Sequence, residues 1–459
     1  MSAHAFHPTV LREYDVRGIV DETISAADAR ALGRAFGTAV KREGGSRITV
    51  GYDGRLSSPD LSDALIEGVL STGVDVDAIG LGPTPMLYYS VFELDADGGV
   101  MITGSHNPPN YNGFKMMIGK KPCFGEKIQM LGSLAAEGDF EVGEGTLTQI
   151  DIFDRYIDRL ARDIDCNAYK VVWDPANGAA GPAVEALIKR LPGEHIVINA
   201  EIDGTFPNHH ADPTVEANLE QLKVAVAKHN ADVGFSFDGD GDRIGAIDTH
   251  GRVVWGDQML AIMAGDLLKV LPGAPIIADV KASQVLFDRI AELGGKPVMW
   301  KTGHSLIKAK MVELESPLAG EMSGHIFYKH NFYGFDDAIY AGIRFLNAVS
   351  TQGGDLAALK DGLPHAINTP ELRFDCDEMR KFDVVDEVKA RLEAAGANMS
   401  TVDGVRVQTE DGWWLLRASN TQAVLVARCE AATEEGLSRL KTALTEALAG
   451  SGIEAPADL

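Results

Sequence analysis

Phe237-Asp238-Gly239-Asp240-Gly241-Asp242-Arg243 sets three carboxylates on alternate residues, directly after the apolar run Ala231 to Phe237. Alternation carries the three side chains to one side of an extended or looping backbone. The intervening glycines let the chain curl until the oxygens converge. Three like charges so close together repel unless something neutralises them, so a solvated acidic turn is the poorer account and a cation site the better one. Oxygen-only donors favour Mg2+ or Ca2+ over zinc. An EF-hand loop asks for glycine at its sixth position and glutamate at its twelfth, whereas counting from Asp238 gives Arg243 and Thr249. Magnesium with an open coordination position, held by Asp238, Asp240 and Asp242, is the better reading.

Working outward, the same pattern recurs. Ile48 to Asp53, Val171 to Asp174 and Ile276 to Asp279 are short apolar runs that end in an acidic residue and a turn. Leu61 to Leu70, Ala183 to Lys189 and Val285 to Leu293 follow them, with the apolar spacing of helices packed on a sheet. Three α/β units of similar design are the simplest account, and their ligands gather at the C-terminal ends of strands. The tail differs. Leu372 to Cys376, Val402 to Gln408, Trp413 to Ala418 and Ala423 to Cys429 read as strands, and Glu434 to Leu448 as a closing helix, which gives a smaller α+β domain. With 459 residues and roughly 100 to 200 residues per domain, the expected division is 1–150, 151–252, 253–365 and 366–459.

Composition narrows the function classes. Apolar residues make up 45% and charged residues 24% of the chain, the balance of a soluble globular protein. The formal net charge of −25 argues against a nucleic-acid binder, whose phosphate contacts need a basic face. It leaves room for a small phosphorylated substrate in a locally positive pocket. No apolar stretch is long enough for a membrane span, and Arg12, Glu13, Asp15 and Arg17 interrupt any leader-like run, so a cytoplasmic, membrane-free protein is expected. Cys123, Cys166, Cys376 and Cys429 form no Cys-x-x-Cys pair and read as reduced thiols. The sequence does not set the oligomeric state; a monomer is compatible with it.

Met101-Ile102-Thr103-Gly104-Ser105-His106-Asn107-Pro108-Pro109 is the second informative stretch, an apolar approach that breaks into a loop around one serine. It is not the Gly-x-Ser-x-Gly elbow of an acyl-transfer hydrolase, because the flanks differ and the prolines would stop the helix that must follow. Alone it is an ordinary turn. Beside the acidic loop it becomes a candidate phosphoryl carrier, since a serine hydroxyl can hold the group covalently while a cation offsets its charge. Three aspartates and a phosphoserine of about −2 still leave a deficit after one Mg2+. Arg243, His106 and Lys115 are the local candidates to offset it.

Thr103 to Pro109, Asp238 to Arg243, Gly320-Glu321-Met322-Ser323-Gly324-His325 and Arg417-Ala418-Ser419-Asn420-Thr421 together resemble the four signature loops of the α-D-phosphohexomutase superfamily. They stand in the family's order across nearly the whole chain. Gly320 to His325 is similar to the bacterial phosphomannomutase/phosphoglucomutase branch. The resemblance implies four domains around a central cleft: three related α/β domains, each with a mixed sheet between helices, and a C-terminal α+β domain. It makes Ser105 the phosphoserine and gives Mg2+ to Asp238, Asp240, Asp242 and a phosphoserine oxygen. Glu321 and Ser323 would bind the sugar's O3 and O4, and Arg417, Ser419, Asn420 and Thr421 the phosphate that is not reacting. Tyr14, Arg17, Lys115, Arg243, Lys281, His304 and His325 complete the implied cleft.

The implied partners are hexose monophosphates of glucose and mannose, interconverted between their 1- and 6-phosphates through a hexose 1,6-bisphosphate that reorients in the cleft, with glucose 1,6-bisphosphate as activator. For the proton, Lys115 with its pKa depressed by neighbouring cations comes first, then His304 or His106. Arg17 stabilises charge. Gln422, Ala423 and Ala338 depart from the family's pattern at places that bear on substrate preference rather than reaction type. A phosphatase, in which water attacks, and a silent sugar-phosphate sensor are the alternatives. Closure of the cleft against water disfavours the first, and the presence of every acidic and nucleophilic residue disfavours the second.

Overall fold

The computed structural model describes residues 3–377, 379–420 and 423–454. Arg47–Tyr52, Tyr169–Asp174 and Pro275–Asp279 are strands buried along most of their length, as strands covered by helices on both faces must be. Each nucleates a mixed sheet. In the first, Gly98–Ile102, Arg47–Tyr52 and Asp75–Leu81 run parallel, and Tyr111–Ile118 reverses against Gly98–Ile102. In the second, Val233–Phe237, Tyr169–Asp174 and Gly193–Val197 run parallel, and Ile244–Asp248 reverses against Val233–Phe237. In the third, Leu318–Gly320, Pro275–Asp279 and Lys296–Trp300 run parallel, and Ile326–Tyr328 reverses against Leu318–Gly320.

The reversals matter most. The serine stretch, the three-aspartate stretch and Glu321 to His325 each join the last parallel strand of their sheet to its antiparallel partner. All three loops therefore leave the C-terminal end of a parallel strand at the same topological position. Open α/β sheets leave a crevice there. The remaining sheet is antiparallel, built from Ile367–Asn368, Leu372–Asp375, Met399–Ser400, Val405–Gln408, Gly412–Ala418 and Val424–Ala431, with helices Lys381–Ala394 and Glu434–Ala449. The arginine loop joins Gly412–Ala418 to Val424–Ala431.

Buried apolar side chains from Ile79 to Leu356 form one cluster that runs through all three mixed sheets, whereas Phe374 to Leu448 form a core of their own. Aromatic contacts weld the first group, among them Tyr89 with Tyr156, Phe92 with Tyr333, and Phe332 stacked on Tyr340 at 3.8 Å. The fourth domain docks largely through polar bonds. Arg406 Nη1 donates to the carbonyls of Val280 and Ala282, and Glu430 Oε1 accepts from Gln284 N and Trp413 Nε1. No helix among the described residues is long and apolar enough to cross a membrane.

Asp337 sits in the weld. It caps helix Ala338–Thr351 by accepting from Tyr340 N at 2.9 Å, and its other oxygen accepts from Tyr156 Oη at 2.9 Å. Burial pushes its pKa up to about 7 against these hydrogen bonds. A carboxyl whose folded pKa is raised contributes stability that is full below the ordinary carboxylate range and is lost as pH rises through 7. The Tm of Asp337→Asn is therefore expected to depend less on pH between about 4 and 7 than that of the parent chain, which thermal unfolding at a series of pH values measures.

Candidate active site

Asp238, Asp240 and Asp242 are fully buried, and their ligand oxygens lie within 4.8 Å of one another. The loop curls because Asp238 Oδ1 accepts from the N–H groups of Asp242 and Arg243, each at 3.1 Å, and because Gly241 takes a left-handed φ of 74°. Gly239 lets the loop pass the serine, since a Cβ there would sit 2.5 Å from the Ser105 carbonyl. Lys115 Nζ donates to Asp240 Oδ2 at 2.7 Å and to Asp242 Oδ2, and Thr84 Oγ1 donates to Asp240 Oδ2 at 2.5 Å.

Among the described residues Asp240 Oδ1 and Asp242 Oδ1 have no hydrogen-bond partner. Two buried, unpartnered carboxylate oxygens in an oxygen-only donor set fit a hard divalent cation. His325 Nε2 stands 3.3 Å from Asp242 Oδ1 without hydrogen-bond alignment. Asp336 also approaches Asp242, but Lys308 Nζ holds it at 2.8 Å and Arg243 Nε donates to His325 Nε2 at 3.2 Å, which leaves the aspartate triad as the open group. Burial and the charges of Asp240 and Asp242 raise the pKa of Asp238 well above the usual carboxylate range.

Ser105 faces this group. Its backbone is left-handed with φ of 50°, its N–H donates to Thr103 Oγ1 at 2.8 Å, and its Oγ lies 3.0 Å from Asp238 Oδ2 and 3.3 Å from His106 Nδ1. Arg17 pairs with Asp15 and donates from Nη1 to the Gly104 carbonyl at 2.7 Å. Burial and the neighbouring cations Arg243 and Arg17 hold the His106 pKa well below its ordinary value, so the ring is neutral. Lys115 departs from the expectation of a cation-depressed amine. Burial disfavours its charge, but Asp240, Asp242 and Asp238 outweigh burial and raise its pKa. Its partners are carboxylates, so it is a fixed ammonium rather than a base.

A backbone bridge between Arg243 and His325 ties the aspartate loop to the next one. His325 Nδ1 lies 2.8 Å from Glu321 Oε2 and 3.2 Å from Ser323 Oγ, and although burial disfavours its charge, Asp242 and Glu321 outweigh burial and raise its pKa to about 9. Glu321 Oε1 accepts from Gly303 N at 2.7 Å, and each carboxylate oxygen keeps a lone pair for a further donor. His304 opens helix His304–Leu314 with Nδ1 unpartnered, 3.7 Å from Asp336 Oδ2. Burial, Lys308 and Lys115 hold its pKa well below the ordinary value.

Tyr14 is where the first, third and fourth domains meet. Its hydroxyl donates to Thr302 O at 2.7 Å and accepts from Asn420 Nδ2. Asp403 Oδ2 accepts from Arg417 Nε at 2.9 Å and Thr302 N at 3.0 Å, and Lys281 Nζ donates to Glu371 Oε2 at 3.0 Å. Ser419 is buried beside them, and its N–H donates to the Val424 carbonyl at 3.0 Å. Thr421, together with Gln422, lies outside the described residues. Ser105, His106, Arg17, Lys115 and the three aspartates thus share one pocket. Arg243 and His325 link it to Glu321 and Ser323, and Tyr14 links it to the fourth domain.

Sequence reasoning missed Asp53, Arg55, Lys308, Asp336, Glu371 and Asp403. Asp53 and Arg55 carried a usable signal, because they follow the strand Arg47–Tyr52 directly, where ligand-side residues of α/β units gather.

Comparison with known proteins follows the same geography. Residues 8–138, 154–251 and 255–366 match the family models for phosphoglucomutase/phosphomannomutase alpha/beta/alpha domains I, II and III, and residues 371–447 match the C-terminal domain. A phosphomannomutase/phosphoglucomutase of Pseudomonas aeruginosa is 44% identical over 435 residues, which cover 95% of this chain and 94% of that one. A phosphoglucomutase of Neisseria meningitidis is 40% identical over 437 residues, 94% of this chain and 95% of that one. The solved structure of a phosphoglucomutase/phosphomannomutase family protein from Burkholderia thailandensis superposes with a TM-score of 0.92 at 41% identity, covering 97% of this chain and 98% of that one. Four consecutive domain matches, relatives alike from end to end and a shared architecture have one meaning: this chain belongs to the phosphoglucomutase/phosphomannomutase family, within the α-D-phosphohexomutases.

Proposed function

We propose that the chain interconverts the 1- and 6-phosphates of glucose and mannose, with Ser105 as phosphoryl carrier. The observation that carries this reading is the 3.0 Å contact of Ser105 Oγ with Asp238 inside a buried triad that keeps two oxygens free. Asp238, Asp240, Asp242 and an oxygen of the phosphorylated serine would hold Mg2+, which when bound neutralises charge at the phosphoryl group in flight.

In the first half-reaction the bond from Ser105 Oγ to phosphorus breaks and a bond from the sugar's free O1 or O6 forms. The hydroxyl proton passes to His106 or His304, whose pKa values burial and neighbouring cations hold well below the ordinary value. Arg17 and Lys115 stay charged and offset the phosphoryl oxygens. Glu321 and Ser323 hold O3 and O4, which keep nearly the same place when the bisphosphate turns over. Lys281, Arg417, Ser419, Asn420 and Thr421 take whichever phosphate is distal. The second half-reaction returns the other phosphate to Ser105, and glucose 1,6-bisphosphate recharges any serine lost to water. Domain limits near residues 150, 252 and 366, and a cytoplasmic setting for four free thiols, belong to the same reading.

Neither Glu321 nor Ser323 needs to read O2, so both epimers are expected to turn over. A coupled assay with Mg2+ and catalytic glucose 1,6-bisphosphate, run on glucose, mannose and glucosamine 1-phosphates, checks this. Comparable use of the first two is the expected result. A strict preference for one epimer sinks the dual-specificity reading, and exclusive use of the glucosamine ester overturns the branch assignment made on Gly320 to His325.

A further inference from the structure

We infer that Arg55, which lies outside all four signature loops, is the positioning residue that holds Ser105 in its reactive pose. The inference rests on Ser105 being the phosphoryl carrier. Arg55 follows strand Arg47–Tyr52, and its side chain is fully buried. Its guanidinium gathers the carbonyls of the serine loop. Nη2 donates to Ser105 O and Asn107 O, each at 2.6 Å, and Nη1 donates to Pro108 O at 2.6 Å and Tyr111 O at 2.9 Å.

Two further features surround this clasp. A Cβ on Gly104 would lie 2.3 Å from Arg55 Cζ and Nε, so the residue before the nucleophile presses flat on the guanidinium plane and has to be glycine. Phe206, from the second domain, also stands with its ring centre 5.3 Å from Cζ. Asp53 completes the hold. It accepts from Arg55 N at 3.0 Å, Thr103 Oγ1 at 2.8 Å and Gly104 N at 3.2 Å, and Thr103 Oγ1 in turn accepts from Ser105 N.

The consequence is conformational. A non-glycine residue with φ of 50° stays there only where its surroundings over-determine it. Released from the clasp, Ser105 relaxes toward ordinary backbone angles and its Oγ leaves Asp238. A planar fork with several donors can satisfy four converging carbonyls, whereas an ammonium on a flexible stem cannot hold the same arrangement. The Arg55 guanidinium is fully buried and given over to four loop carbonyls, so it acts on kcat through Ser105 and leaves sugar binding alone.

The test is Arg55→Lys beside the parent enzyme with Mg2+ and glucose 1,6-bisphosphate, reading kcat, KM for glucose 1-phosphate, Tm and the lifetime of the phosphorylated serine. A displacement of about 1 Å at a reacting group costs about 100-fold, so kcat is expected to fall by about that factor while KM moves less than about threefold. The phosphoserine is expected to lose its group to water faster as its geometry loosens. A folded Arg55→Lys enzyme with parental kcat and phosphoserine lifetime overturns the proposal, and so does a loss seen only in Tm, which marks a merely structural residue. If that variant does not fold, Thr103→Val cuts the Asp53 to Ser105 tether and is held to the same criteria. Absence of phosphoserine in the parent itself is a different failure, that of the Ser105 reading.

Discussion

Ser105→Ala is expected to fold and to lose turnover by on the order of 10⁴-fold or more, the scale on which loss of a covalent nucleophile is felt. Nothing else in the pocket can replace it. Its nearest side-chain neighbours are Asp238 Oδ2 at 3.0 Å and His106 Nδ1 at 3.3 Å, and the aspartates are assigned to the cation rather than to the phosphoryl group. Because the serine backbone is left-handed, alanine keeps the strain of that conformation and glycine removes it, a difference of about 1 kcal/mol. Ser105→Gly should therefore be the more stable of two equally inactive proteins. Turnover assays and thermal unfolding on the pair separate loss of chemistry from loss of structure. Substantial activity in either variant would remove Ser105 from the mechanism.

Asp238→Asn carries the second large effect. In the protein without a cation, burial and the charges of Asp240 and Asp242 raise the pKa of Asp238 and so favour its protonated form. Asparagine resembles that protonated state. Its Oδ1 can accept from Asp242 N and Arg243 N as the carboxylate does, and its amide can donate to Ser105 Oγ. The variant should fold, bind Mg2+ weakly and lose about 10²- to 10⁴-fold in kcat, the several kcal/mol that a cation contributes to phosphoryl transfer.

The same proton gives Mg2+ binding a pH dependence in the parent chain. A raised folded pKa contributes stability that is lost as pH rises, so the cation-free protein loses this contribution with increasing pH, whereas Mg2+ displaces the proton and binds more tightly. The rise in Tm on adding Mg2+ is therefore expected to grow with pH and to be nearly flat in Asp238→Asn. A rise of equal size at all pH values would contradict a raised pKa at Asp238.

The loops proposed to carry the chemistry were legible in the sequence because their residue types have few other uses. Three aspartates separated by glycines at a strand end, and an Arg-Ala-Ser-Asn-Thr run between two strands, place charge where an ordinary turn would avoid it. The repeated α/β units were legible because strand and helix periods alternate so regularly. What stayed hidden depends on which distant residues meet. Lys115 looked like one cation among several, and only the fold places its ammonium between Asp240 and Asp242 and so reverses the direction of its pKa. Arg55 acts on carbonyl groups, which every residue possesses, so no pattern of side chains announces it. The shared core of the first three domains arises from aromatic residues far apart in sequence, such as Tyr89 and Tyr333, whose meeting no local period encodes.

If Ser105 is the carrier, a phosphoryl group resides on it and passes to sugar rather than to water. Intact-mass analysis of the Mg2+-loaded protein after exposure to glucose 1,6-bisphosphate, with peptide mapping and a chase of glucose 1-phosphate, tests it most directly. The expected result is the mass of a single phosphoryl group, on Ser105 alone, discharged by the chase into the bisphosphate and recovered as glucose 6-phosphate. A phosphoryl group on another residue, or its release as inorganic phosphate at the rate of the chase, would contradict it.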